Sequence, residues 1–424
     1  MKILEPELVW LDGAFQPGYQ VELRDDGTFG RIAPNLGKPT ERLDRQALLP
    51  GMVNAHSHAF QRGLRGKAET FGGGSGTFWS WREEMYRLAN ALDVERFHRL
   101  SLLAFDEMLR AGITTVGEFH YVHHLGRSQG YELDEALVRA ATEAGIRLVA
   151  LDVCYLSGNV SKPLEEEQRR FGSESVDVFL ESAERLGKLL DARQSLGIAA
   201  HSIRAVPLEA LVELHESARA KSLVFHLHVE EQPREIEAAV SHYGKRPLAL
   251  LLDRLEVGPE LTAVHCTHSE SDELSRLLGT GANVCLCPLT EASLGDGIPP
   301  VLLAGNPHLS LGTDSNLRID FTEEMRLLEY AQRLRERRRG VFTGRDGSVA
   351  ERLFRIATQG GARSLGVRAG RVEEGYAADF FTLDLDAPAL AEVSAEELLT
   401  AFVFGSGKSA LRAVAAGGVN VLDR

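Results

Sequence analysis

The chain has 424 residues, of which 44% are hydrophobic and 25% charged. That length suits one large domain plus a small one, and the composition is that of a soluble globular protein. The formal net charge of -14 argues against a nucleic-acid partner, which needs a basic stripe. It also means that an anionic substrate needs arginines placed locally against a repelling field.

The opening MKILEPELVWLDGAF holds no basic segment followed by an apolar run and no cleavage signal. No apolar stretch approaches the roughly 20 residues that span a bilayer, so the expectation is a cytoplasmic protein without a membrane partner. Residues 2–48 read as short strands broken by turns at Asp12-Gly13 and Asp26-Gly27. The other end reads alike, with an apolar strand at 376–385 and two strands around Gly417-Gly418 within 410–423. The two ends, 1–48 plus 371–424, are expected to build one small β-sandwich domain beside a larger domain at 49–370.

The middle alternates differently. Apolar runs at 48–55, 112–119, 147–153, 197–203, 222–229, 261–266, 282–288 and 308–313 are separated by helical stretches such as 95–111, 132–145, 176–195, 208–220, 234–243 and 270–279. Runs alternating with helices imply βαβ units and a parallel sheet, and about eight such units predict a TIM-like (β/α)8 barrel. An open doubly wound sheet fits less well, because no Gly-rich dinucleotide loop follows any run. Active sites of such barrels lie at the C-terminal ends of the strands, so chemically capable residues should gather where the runs end. Cys154, Cys266, Cys285 and Cys287 have the spacing of neither a disulfide framework nor a zinc knuckle and read as small buried hydrophobes.

Capable residues do gather there. The first run ends in PGMVNAHSHAFQR, with His56 and His58 on one face of a strand. Two imidazoles converging from one segment make half of a zinc site, although such pairs also occur as ordinary core or surface histidines. The fifth run ends in FHLHVEEQ. His226 and His228 share a face and one of them completes the shell, His226 lying a layer deeper. Glu231 can fold back over the site as a proton-shuttling carboxylate. The sixth run ends in VHCTH, with His265 nearer the strand than His268. The eighth ends in LSLGTDSN, where Asp314 can ligate a metal, take a proton from water or do both, or else cap the next helix. Ser315 or Asn316 can cap in its stead. Burial of so many ionisable groups is costly unless they share an ion. On the substrate side, His201 and Arg204 end the fourth run and Tyr121 stands at the rim of the second. GTFWSWREEMY places Trp79, Trp81 and Arg82 in a loop-to-helix segment, which is either a surface staple or a cover that excludes water.

PGMVNAHSH, HLHVEE, VHCTH and GTDS, with GYAADFFTLD near the C-terminus, resemble the amidohydrolase superfamily over essentially the whole chain. Within it, HSHAFQR, FWSWREEMY, EFHYVHH, HSIRAV, CPLTEASLGDG and RLLEYAQRLR are similar to the formimidoylglutamate deiminase family, hydrolases of histidine degradation. The resemblance implies a single divalent ion, zinc, held by His56, His58, His228 and Asp314. It implies catalysis by Glu231, His265 and Asp314, and places Gln61, Arg82, Tyr121, His201 and Arg204 on the glutamate part of a small acidic substrate, formimidoylglutamate. It also implies a homodimer. Two-metal members carry a modified lysine at strand four, where this chain has His201 and no lysine between Lys188 and Lys221. Asn316 stands where related enzymes have a histidine, so that position needs a role of its own. The nearest competing reading is a deaminase of an aminated ring such as guanine or cytosine, whose pocket needs stacking and amide contacts rather than two arginines. A non-catalytic scaffold would lack the ligands that this chain keeps. The glycine-rich stretch at 66–78 has the composition of a flexible loop beside the site.

Overall fold

The computed structural model describes residues 1–67, 69, 76–126, 130–344 and 347–421. Most of the glycine-rich stretch expected as a loop beside the site lies outside the described residues. The chain opens with β1 (Lys2–Leu11), β2 (Ala14–Pro17), β3 (Gln20–Leu23), β4 (Phe29–Ala33) and β5 (Glu41–Pro50). The two turns read from the sequence fall where expected: Asp12, Gly13 and Gly27 have φ of 48°, 92° and 77°, the left-handed conformation that Asp and Gly tolerate best.

From Met52 the chain enters a ring of parallel strands: β6 (Met52–Ser57), β7 (Ile113–His120), β8 (Arg147–Cys154), β9 (Gln194–Ala200), β10 (Phe225–Val229), β11 (Leu261–His265), β12 (Asn283–Leu286) and β13 (Leu309–Leu311). Each strand pairs with the next in sequence. A parallel bridge between Ser57 and Asp314 brings the last strand back to the first, so the ring is a nearly closed barrel with helices between its strands. Every residue of β6, β7, β10, β11, β12 and β13 is buried. That explains why these strands read as apolar runs with no polar alternation. β14 (Phe380–Asp384), β15 (Leu411–Ala416) and β16 (Val419–Asn420) then return to the amino-terminal strands. Both ends thereby share one eight-stranded mixed sheet, ordered β16-β15-β14-β5-β1-β3-β4 with β2 on β1.

The intervening helices begin and end on local signals. Asp93 caps Val94–Arg110 by accepting from the Arg96 amide, Ser175 caps Val176–Gly187 through Val178, and Gly145, at φ 81°, ends Glu132–Ala144. The helix expected over 176–195 is shorter than its periodicity. It stops at Gly187 because Asp191 closes a turn, its side chain accepting from Arg193 N at 2.8 Å and its carbonyl from Gln194 N at 3.0 Å. Gln194 already belongs to β9. All four cysteines are buried and free. Among the described residues no helix is long and apolar enough to cross a membrane.

One buried ion pair ties the mixed sheet to the barrel. Arg147 of β8 reaches Asp379, just ahead of β14, with Nε at 2.9 Å and Nη2 at 3.2 Å. The Asp379 carboxylate also accepts from Gly417 N at 2.7 Å, and its carbonyl accepts from Gly51 N at 2.9 Å. Asp379→Ala leaves the largely buried guanidinium unpaired and is expected to cost about 3 kcal/mol, measured as a lower midpoint of urea unfolding. A midpoint equal to that of the unaltered chain would show that the pair does not join the two units.

Candidate active site

β13 is short, and Gly312-Thr313-Asp314 follows it. A Cβ on Gly312 would lie 2.8 Å from both Cβ and O of His56 and 2.9 Å from Cys287 Sγ. Only glycine therefore lets this segment lie against the end of β6. Asp314 N donates to His56 O at 3.0 Å and His58 N to Asp314 O at 2.8 Å. Asn54 and Thr313 bond reciprocally, Asn54 Nδ2 to Thr313 Oγ1 at 2.7 Å and Thr313 N to Asn54 Oδ1 at 3.0 Å. Asn316 finds its role here: its Nδ2 donates to Ser57 Oγ at 2.9 Å and its Oδ1 accepts from Thr313 Oγ1 at 2.7 Å. The cap of the following helix, Phe321–Glu336, is Asp320, so neither Asp314 nor Ser315 nor Asn316 caps it.

This seam brings together His56, His58, His228 and Asp314, whose ligand atoms all lie within 4.8 Å of one another. His58 Nε2 is 3.2 Å and His56 Nε2 3.5 Å from Asp314 Oδ1, and the Nε2 atoms of His228 and His56 are 3.1 Å apart. His226, a layer deeper, faces Ser364 O at 2.8 Å and is a packing residue. His58 Nδ1 meets Phe119 O at 2.9 Å and His228 Nδ1 meets His201 O at 2.8 Å. A carbonyl only accepts, so each Nδ1 carries a proton and Nε2 is the atom that each ring turns inward. Burial is the chief reason that His56 is held down at about 3 and His228 well below the ordinary range, so both rings are neutral. Lone pairs converging on a carboxylate repel one another unless a cation lies among them. Three imidazole nitrogens with one carboxylate oxygen suit one divalent ion, the carbonyls behind two of the rings fixing their orientation.

Glu231 and His265 stand beside the cluster. His265 Nε2 has no hydrogen-bond partner and lies 3.7 Å from Glu231 Oε1 and 3.8 Å from Asp314 Oδ2. Its Nδ1 faces Glu291 Oε1 at 3.3 Å. Burial works to discharge this ring, but Glu231, Glu291 and Asp314 outweigh it and raise His265 to about 10. Glu230, His265 and Asp314 have φ of 53°, 75° and 46°, so three of the segments that carry the site turn through left-handed backbone, a conformation costing on the order of 1–3 kcal/mol per non-glycine residue. Glu291 escaped the sequence reading, although CPLTEASLGDG contains it. It is held by the Cys287 amide at 3.0 Å in the helix Pro288–Leu294. Asp296, also missed, accepts from Gln232 and is pushed up to about 9, chiefly by burial.

One cavity opens over the cluster. Gln61, Arg82, Tyr121, His201 and Arg204 all line it, together with Glu231. Gln61 Nε2 donates to Tyr121 Oη at 2.8 Å, while Gln61 Oε1 is buried without a partner. Arg82 rides on the helix Phe78–Asn90, which starts with a capping box between Thr77 and Ser80. Its guanidinium lies 5.1 Å from the ring centres of both Trp79 and Tyr86. Trp81 lines the cavity; Trp79 stacks on Arg82. Arg204 is already engaged, with Nη2 3.5 Å from Glu231 Oε2 and Nε 3.8 Å from Glu235 Oε2.

A second buried group, His120, His123 and Asp134, also has ligand atoms close together, but its geometry differs. His123 Nδ1 is 3.0 Å from Asp134 Oδ1 and its Nε2 is 3.1 Å from Val153 O. Both ring nitrogens face acceptors, and Arg185 Nη2 meets the other Asp134 oxygen at 3.0 Å. Burial opposes the charge, yet Asp134 and Asp152 raise His123 to about 9. This is an internal imidazolium–carboxylate pair, complete without an ion.

The amidohydrolase family matches residues 47–421, and the chain belongs to that family. Within it the sequence is formimidoylglutamate deiminase-like: it is 37% identical to the formimidoylglutamate deiminase of Pseudomonas aeruginosa over 430 aligned positions, covering 99% of this chain and 94% of that enzyme. Among solved structures, an amidohydrolase from Brucella melitensis superposes with a TM-score of 0.91 at 32% identity, covering 99% of this chain and 94% of that one. An adenosine deaminase from Xanthomonas campestris, solved with bound zinc, superposes with a TM-score of 0.81 at 25% identity, covering 99% and 92%.

Gly312→Ala drives a methyl group into His56 and Cys287. It is expected to destabilise the fold by about 1–3 kcal/mol and to lower the divalent metal content per purified chain. Metal content equal to that of the unaltered protein would show that the seam does not set the cluster.

Proposed function

We propose that the protein is a zinc-dependent deiminase that hydrolyses N-formimidoyl-L-glutamate to N-formyl-L-glutamate and ammonia. The observation that carries this reading is that two arginines, Arg82 and Arg204, open onto the same cavity as the His56–His58–His228–Asp314 cluster. The sequence likeness to a formimidoylglutamate deiminase over 99% of the chain supports the same reaction. In a chain of net charge -14, the guanidinium forks of the buried Arg204 and the half-buried Arg82 beside the site favour a substrate carrying carboxylates.

His56, His58, His228 and Asp314 would hold a divalent ion, which would supply acidity, bringing the pKa of water from about 15.7 to about 7. Asp314 takes the proton from the attacking water as its oxygen bonds to the formimino carbon. His265, braced by Glu291, orients that oxygen and balances the charge that develops on it. Glu231, within 3.7 Å of His265 Nε2, delivers a proton to the imine nitrogen and takes up the proton of the newly added hydroxyl; the proton held by Asp314 passes to the resulting amine, the C–N bond breaks as the formyl C=O forms, and ammonia leaves. Arg82 and Arg204 bind the glutamate carboxylates, and Gln61, Tyr121 and His201 hold the backbone of the substrate by hydrogen bonds. Arg204 thereby links substrate binding to Glu231, which it already touches.

Ammonia release from formimidoyl-L-glutamate and from guanine, each with and without chelator, tests the reading. The expected result is turnover of formimidoyl-L-glutamate alone, lost on chelation and restored by zinc. Arg82→Met is expected to lower kcat/KM by roughly 2–5 kcal/mol. Guanine turnover in place of formimidoyl-L-glutamate turnover contradicts the reading and returns the site to the ring deaminases.

A further inference from the structure

The wall of the cavity holds a polar arrangement that neither the metal-capable cluster nor the proton-transfer groups use. Gln168 is fully buried at the end of the short 3-10 segment Glu166–Gln168. Its Oε1 accepts the backbone N–H of Glu165 at 2.9 Å. A backbone amide can only donate, so this contact fixes which end of the carboxamide is oxygen. The other end is the NH2 group, which lies 3.0 Å from Tyr86 Oη and 3.1 Å from both Tyr155 Oη and Gly158 O. Both phenol oxygens are therefore acceptors toward Gln168, and neither phenol proton can be given to it. If one hydroxyl donates to the other, one O–H is still left without an acceptor among Gln168, Tyr86 and Tyr155.

Both phenols line the cavity, as do Arg82 and Arg204, and the Arg82 guanidinium lies 5.1 Å from the Tyr86 ring centre. Tyr155 is one imidazole removed from the cluster: its ring centre is 4.9 Å from that of His201, which is 4.9 Å from that of His228. That spacing suits a group at the far end of a substrate side chain rather than one beside the reacting carbon.

Building on the proposed function, we infer that Tyr86 and Tyr155, oriented by Gln168, form with the two arginines the subsite for the substrate's distal carboxylate, and that they make the enzyme select acid over amide. A carboxylate accepts every hydrogen bond that the two guanidinium groups and the free phenol O–H offer. A carboxamide of the same shape turns an NH2 group toward donors and leaves it unpaired, which is the kind of mismatch that separates near-isosteric substrates strongly. Gln168 is a positioning residue; the phenols touch substrate.

The test compares kcat/KM for formimidoyl-L-glutamate and formimidoyl-L-glutamine in the unaltered enzyme and in Tyr155→Phe and Gln168→Glu. Gln168→Glu keeps the shape and the contact with Glu165 but replaces the NH2 donor by an acceptor, which draws the phenol protons away from the cavity. Tyr155→Phe removes one oxygen atom and carries the test if the buried glutamate does not fold. The expected result is a marked preference for the acid in the unaltered enzyme that falls about tenfold or more in each variant, a ratio that a purely structural role would not move. Turnover of the acid with an acid-to-amide ratio unchanged in the variants overturns the subsite alone. No turnover of the acid by the unaltered enzyme overturns the functional reading and the subsite with it.

Discussion

The site depends on the closure of the barrel between its first and last strands. Nothing in the local sequence of either strand places a carboxylate between two histidines. It is the approach of the segment after β13 to the end of β6 that does so, through the Asn54–Thr313 pair, the Asn316–Ser57 bond and the parallel bridge at Ser57 and Asp314. Gly312 is the one position in that segment where a side chain has no room. The bonds that complete the barrel are the bonds that set the ligand geometry, so fold and site share one constraint.

Electrostatics follow from that placement. The chain buries Glu231, Glu235, Glu291, Asp296 and Asp314, of which Glu231 and Asp314 line the cavity, and each carboxyl group meets a compensating partner. Asp314 has the imidazoles of His56 and His58. Glu231 and Glu235 have Arg204. Glu291 has His265 and the Cys287 amide, and Asp296 has Gln232. Burying such groups without partners would be prohibitive. Because Arg204 serves both Glu231 and, in the proposed function, a substrate carboxylate, substrate arrival redistributes the charge around the proton donor.

The barrel was legible in the sequence because its strands are buried on both faces, and eight uninterrupted apolar runs became eight strands. The histidines of the metal-capable cluster were legible because they sit where those runs end. What stayed hidden depends on partners distant in sequence. Glu291 reads as an ordinary acidic residue in the first turn of a helix until His265 is found behind it. Gln168 and Tyr155 lie in a segment without periodicity, and their meaning comes from one amide proton on Glu165. The helix from Val176 looked longer than it is because its apolar pattern runs on through Leu189 and Leu190 before the turn at Asp191. Asn316 looked like a departure from a pattern and is a clasp between strands.

The proposed function places one divalent ion among three imidazole nitrogens and one carboxylate oxygen. A second constellation of His265, Cys287 and Asp314 also has ligand atoms close together, and it would bring sulfur to the metal. Zinc-edge X-ray absorption of the zinc-loaded protein separates the two directly. The expected result is a single shell of nitrogen and oxygen neighbours at about 2.0–2.2 Å, with one zinc per chain. A sulfur neighbour at about 2.3 Å, or two zinc ions per chain, would contradict it.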